Sequence, residues 1–138
     1  MTQAGDSAAG AFPGDDRLGG VVLCRVGAHR LAFLARQVAV IEVWGRGGRD
    51  VPHARMAYAL PCGEGRLLLA ENGDGVVVDA LEVAQEAPPL LPAPQMLVGG
   101  AGGALRGFLS IGEELWPVLR LPEFSRFVAA LGVAGGAP

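Results

Sequence analysis

The sequence predicts a mostly β chain built as paired small barrels, with a short helix and a C-terminal helix. Three observations predict it. Short runs rich in valine and leucine recur along the chain, and most are bounded by glycine turns. The chain carries 22 Gly and 10 Pro in 138 residues, a composition suited to many turns. Sustained helical spacing of large apolar residues occurs near the end, where Phe124, Phe127, Val128 and Leu131 recur at i, i+3, i+4 and i+7.

The elements follow in order. Residues 1–18 are small, polar and Gly/Ala-rich and read as a loose tail. Val21-Val22-Leu23-Cys24-Arg25-Val26 is a β-branched run, Gly27-Ala28-His29 a turn, and Leu31-Ala32-Phe33-Leu34 the returning strand. Val38, Val40, Ile41, Val43 and Trp44 form another strand-like stretch. Residues 45–50 are a loop by composition, and residues 54–60 hold helix formers ended by Pro61 and Gly63.

The second half repeats the theme. Strands over residues 66–70 and 76–78 flank the turn Asn72-Gly73-Asp74-Gly75, which supplies the positive φ angles a hairpin needs. Residues 79–85 continue with Leu81 and Val83 apolar, and a stiff proline segment covers residues 88–94. Residues 99–103 read as a flexible connector. Residues 105–111 and 115–119 make a further hairpin around Gly112-Glu113-Glu114. In the final helix Pro122 occupies a first-turn position and Gly132 fits the residue just past the end, leaving 132–138 as a tail.

Composition excludes several functions. Net charge is −3, and the eleven basic residues, all Arg, form no stripe, which argues against binding nucleic acid. No apolar run reaches the ~18 residues of a membrane span, and the N-terminus lacks a signal peptide's regions, so a cytoplasmic protein without membrane insertion is expected. Cys24 and Cys62 have no CxxC spacing. Cys24 alternates with Val22 and Val26 and reads as buried, whereas Cys62 between Pro61 and Gly63 is expected at the surface. His29 and His53 lack partners at metal or triad spacing. The Gly-rich pieces are not phosphate loops, because no Lys-Ser/Thr follows them. No paired carboxylates or nucleophile–base pair stand at usable spacing. Catalysis, cofactors and metals are not expected.

Residues 65–124 resemble the second half of CheW-like domains, the adaptors of chemotaxis signalling. The matching pieces are Arg66-Leu67-Leu68-Leu69-Ala70-Glu71, Gly75-Val76-Val77-Val78-Asp79, Leu91-Pro92-Ala93-Pro94, Leu105-Arg106-Gly107 and Leu115-Trp116-Pro117-Val118-Leu119. Residues 22–43 are similar to the family's opening hairpin and its Val-x-Glu-Val segment, here Val40-Ile41-Glu42-Val43. The family's next hairpin, with its Asn-Leu-Arg-Gly turn, is missing, and residues 44–53 stand in its place. Arg120 also departs from the family's usual polar or acidic residue.

The resemblance implies two SH3-like β-barrel subdomains on one shared core. Residues 19–60 would form a truncated, incomplete first subdomain, and residues 64–131 the second with the C-terminal helix. It implies a non-enzymatic adaptor that couples a chemoreceptor signalling domain to a CheA-like histidine kinase, in taxis or gliding motility, with one partner surface lost. The alternative is an assembly subunit that reuses the fold as a homodimer. The opened first barrel would expose a strand edge for the 45–53 loop, a partner or a second copy to cover.

The resemblance places Val40 and Glu42 at partner-contacting positions. Trp44 is either an exposed anchor or a plug for the opened core. Leu105, Arg106 and Gly107 form a candidate recognition turn, with Arg106 the better interface residue and Gly107 also explicable by close packing. Asp79 is expected to cap the segment that follows it, and Trp116 to lie in the core.

Overall fold

The structure, a computed structural model, describes residues 20–44, 51–61, 63–97 and 100–136. Cys62, the 45–50 loop, the N-terminal tail, the first residue of the 99–103 connector and residues 137–138 of the expected C-terminal tail lie outside the described residues.

Strands β1 (Val21–Val26) and β2 (His29–Leu34) form the first hairpin, with Val26 paired to His29. The two residues between them make the turn, and Gly27 takes φ +61°, a conformation that side chains with a Cβ resist. β3 (Val40–Trp44) follows a single 3-10 turn over Ala35–Gln37. The expected helix at residues 54–60 is a short 3-10 helix, Ala54–Tyr58, ended by Ala59 in the left-handed region. β4 (Gly65–Leu69), β5 (Gly75–Val78) and β6 (Ala80–Ala84) come next, then the two-residue β7 (Leu91–Pro92). The supposed connector is partly ordered as one helical turn, α1 (Gly100–Gly103). β8 (Leu105–Ile111) and β9 (Glu114–Leu119) form the last hairpin, and α2 (Leu121–Gly136) ends the chain.

These strands make a six-stranded sheet in the order β6-β1-β2-β9-β8-β7 and a three-stranded sheet in the order β3-β4-β5. All pairings are antiparallel except β2 with β9, which runs parallel and sets Ala32 beside Val118. The mostly-β class with a C-terminal helix is therefore as expected, but the sheets are open rather than closed into barrels. The large sheet takes strands from both ends of the chain, whereas the small sheet is three strands consecutive in sequence. β7 is limited to two residues because Pro92 and Pro94 have no N–H to give a ladder.

The main core lies between the sheets and α2. Val22, Cys24, Val26, Leu31 and Phe33 come from one face of the large sheet, Leu68, Val76 and Val78 from the small one, and Leu121, Phe124 and Val128 from the helix. Each large side chain buried there contributes about 1.5–3 kcal/mol. The Phe33 and Phe124 rings meet at 5.9 Å, so the helix packs directly on β2. The other face of the large sheet holds a second cluster of Val21, Ala32, Leu34, Leu109, Trp116 and Val118, over which Ala87 and Leu90 of the proline segment pack.

Polar contacts fix the helix. Gln37 Oε1 accepts the Leu121 backbone N–H at 3.0 Å and so caps its first turn. Buried Ser125 Oγ accepts from the Gly75 N–H at 3.1 Å and donates to the Gly75 carbonyl at 2.6 Å, stapling the helix to β5. α2 runs on to Gly136, past Gly132, where the sequence placed its end. An interior glycine costs a helix only about 1 kcal/mol, which the anchored first turns offset.

Candidate protein-interaction surface

The small sheet presents its outer strand as an edge. β3 pairs with β4 on one side, Val40 to Leu69 through Trp44 to Gly65. β5, the sheet's other edge, is partly covered: the Pro52 carbonyl takes the Val77 N–H at 3.0 Å, and His53 bridges to Val77. Residues 52–53 of the shortened loop thus cover β5, not β3.

Alternation sorts the β3 side chains. Ile41 points to the main core, and Val43 on the same side is 81% exposed. Val40, Glu42 and Trp44 point the other way. Val40 is 39% exposed and Glu42 is exposed. Trp44 is half-buried on Leu67, Leu69 and Val77 together with Val51, and its ring stands edge-on to His53 at 6.2 Å. It plugs the small sheet's outer face rather than serving as an exposed anchor.

Beside this edge lies an apolar groove of about 280 Å3, lined by Val22, Ala35, Val38, Ala39, Val40, Ile41 and Val83. Val83, half exposed, comes from β6, the edge of the large sheet. The groove therefore runs between the outer strands of the two sheets, neither of which carries a further strand among the described residues.

Leu105, Arg106 and Gly107 sit on β8, in the other sheet, so the sequence-predicted residues form two separate places. Leu105 and Arg106 are half-buried and Gly107 is buried. A Cβ on Gly107 would collide with the Leu91 carbonyl oxygen, so this glycine exists to let β7 approach. The Arg120 side chain is used internally, donating to the Gly103 carbonyl at 3.0 Å.

The ionisable groups serve structure. Asp79 does not cap the segment after it. Its carboxylate takes the Gly27 backbone N–H at 2.6 Å and two N–H groups of Arg55 at 2.7 Å each. Hydrogen bonding from Arg55 holds its pKa below the ordinary carboxylate value. His53 is buried, its Nδ1 accepts the Arg55 N–H at 3.2 Å, and burial lowers its pKa. His29 stacks on Tyr58 at 4.0 Å. Cys24 is a buried thiol whose pKa burial raises, which disfavours the nucleophilic thiolate. Trp116 is buried as expected. Among the described residues no three His, Cys, Asp or Glu come close enough to hold a metal ion, and no helix is long and apolar enough to cross a membrane.

Sequence reasoning missed Arg55 altogether, and it missed the pair Arg25 and Arg30, which face each other across the first hairpin. The turn expected from the sequence has three residues, Gly27-Ala28-His29, whereas the observed one has two, and turn length sets the register that puts these arginines opposite each other.

With this geometry in hand, solved structures supply a parallel. The crystal structure of the scaffolding protein TtCheW from Thermoanaerobacter tengcongensis superimposes with a TM-score of 0.54 over 75% of this chain and 90% of that one, at 12% sequence identity. The fold is CheW-like. No family model matches the sequence, and no curated protein does. The CheW-like fold is thus carried by architecture at low identity, consistent with sheet packing that tolerates many apolar substitutions.

Proposed function

We propose that this chain is a non-enzymatic, cytoplasmic adaptor of a chemosensory or gliding-motility pathway, docking a chemoreceptor signalling domain, a CheA-like histidine kinase regulatory domain, or both. One observation carries the reading: in a CheW-like fold, the outer edge of β3 leaves Val40 and Val43 exposed beside an apolar groove. Unpaired strand edges with apolar side chains invite a partner. Val40 and Glu42 are the proposed contact residues, Leu105 and Arg106 a second contact, and Trp44 and Gly107 act by packing beneath these surfaces. The shortened segment after Trp44 stands in for a hairpin of the first subdomain, whose loss would remove one partner surface.

A symmetric homodimer through β3 is less suited to this edge. Twofold antiparallel pairing centred on the strand would set one Glu42 opposite its copy, and like charges directly opposite destabilise a sheet.

Calorimetric titration of the purified chain with a receptor signalling-tip fragment and with a kinase regulatory domain tests the proposal. Saturable binding to at least one supports it. Absence of heat with both, at concentrations where CheW itself binds, overturns it. Binding to both with equal strength removes the lost-surface part.

A further inference from the structure

We infer that a recess beside Trp116, on the opposite face of the large sheet from the groove, is a recognition site for a carboxylate side chain of a partner polypeptide. The inference stands apart from the adaptor reading and rests on different residues.

The first hairpin sets Arg25 directly opposite Arg30. Like charges so placed repel across a strand pair, and nothing in hairpin formation requires them. Both guanidinium groups gather over one ring: their central carbons lie 5.1 Å and 5.9 Å from the centroid of Trp116. The indole face offsets part of the repulsion. Arg30 also meets Glu114 at 3.4 Å and donates to the Leu115 carbonyl. Arg25 has only the ring, with no carboxylate partner among the described residues. Arg25 is therefore without an ion-pair contact among the described residues, although the Glu82 carboxylate belongs to the same recess.

A second, independent observation points the same way. Trp116 is 5% exposed, and its indole Nε1 is buried without a hydrogen-bond acceptor among the described residues. A buried donor left unmet is uncommon in folded proteins. Two guanidinium forks and an indole N–H are all donors, so the missing group is an acceptor carrying negative charge.

The recess has a volume of about 160 Å3 and is lined by Leu23, Arg25, Ala80, Leu81, Glu82 and Trp116. The Leu23 side chain supplies apolar wall for a methylene stem, while Arg25 and the ring supply the polar end. Leu81 turns its side chain to the main core and adds only backbone here. Glu82 stands on the rim, paired across the strands with Leu23. Its charge disfavours a doubly charged phosphate and leaves room for a single carboxylate on the arginine side. Arg25, which has only the ring contact among the described residues, turns onto the ligand, and its movement off the ring changes the surroundings of the buried indole N–H.

The test uses the full chain labelled with 15N. Its two tryptophans give two indole N–H resonances, and Trp44→Phe assigns the one from Trp116. The probes are a capped tripeptide with a central glutamate, the same peptide with glutamine, and inorganic phosphate. The expected result is a saturable shift of the Trp116 indole resonance with the glutamate peptide alone, weakened about tenfold or more in Arg25→Gln, whose remaining amide resonances stay in place. Equal response to the glutamine peptide, an unchanged affinity in Arg25→Gln, or no shift at all overturns the inference. A response to phosphate alone overturns the carboxylate assignment. A Trp116 shift produced by Asp15→Asn/Asp16→Asn without any ligand overturns the partner, because the chain's own N-terminal carboxylates would then be the occupant.

Discussion

Asp79 and Gly27, 52 residues apart in sequence, are joined by a 2.6 Å hydrogen bond from the glycine N–H to the aspartate carboxylate. The same carboxylate is gripped by Arg55 through two contacts of 2.7 Å. One side chain thereby ties the first hairpin turn and the 3-10 helix to the β5–β6 junction. Asp79→Ala is expected to lower stability by about 1.5–3 kcal/mol, the range for hydrogen bonds to a charged group. Asp79→Asn keeps an acceptor for Gly27 and should cost less. Urea denaturation of the two variants checks the order, and equal loss in both would contradict it.

Acid should act in two windows. Burial lowers the His53 pKa from 6.5, so the unfolded state binds more protons, and stability falls as pH drops through the mid-6 range. Asp79, lowered from 3.8 by Arg55, contributes stability present above that value and lost as pH falls through its folded pKa. Denaturation curves from about pH 7 to pH 5.5 should therefore decline for the natural chain and flatten for His53→Gln. A curve of unchanged slope in the variant would contradict the assignment.

Gly107 and Arg106 separate packing from recognition. Gly107→Ala forces a Cβ into the Leu91 carbonyl, and overpacking of this kind costs about 1–3 kcal/mol. Arg106→Ala should change stability far less and act instead on partner affinity, since Arg is enriched among binding hot spots. Thermal melts paired with binding titrations distinguish the two. A stable Gly107→Ala protein would remove the packing account.

Ser125→Ala should free α2 from β5. Both Gly75 backbone groups lose their side-chain partner in a buried place, which costs about 1–3 kcal/mol. Hydrogen exchange at the Gly75 amide should speed up before that of the β1–β2 hairpin does. Unchanged exchange there would show that the helix is held by Phe124 and Val128 alone.

Local elements were legible in the sequence because local chemistry sets them. The hairpins around Gly27, Gly73 and Gly112 were announced by glycine turns between valine- and leucine-rich runs, and Phe124 with Val128 marked the buried helix face. Long-range pairing was not. Nothing local tells β2 to lie parallel to β9, yet that pairing carries Trp116 under Arg25 and Arg30. The Arg55–Asp79 contact was invisible for the same reason, as was the division of the strands into two open sheets. Of the predicted interaction residues, Val40 and Glu42 were readable as strand positions, but exposure depends on which neighbour the fold leaves out.

The docking role of β3 is tested most directly by titrating the natural chain and Val40→Glu against whichever partner domain binds. Val40 is 39% exposed, so a thermal melt accompanies each titration, and a change in affinity without a change in melting reads the interface itself. The expected result is at least tenfold weaker binding by a variant whose melting temperature is unchanged. Full affinity in Val40→Glu would contradict a partner seated on this edge.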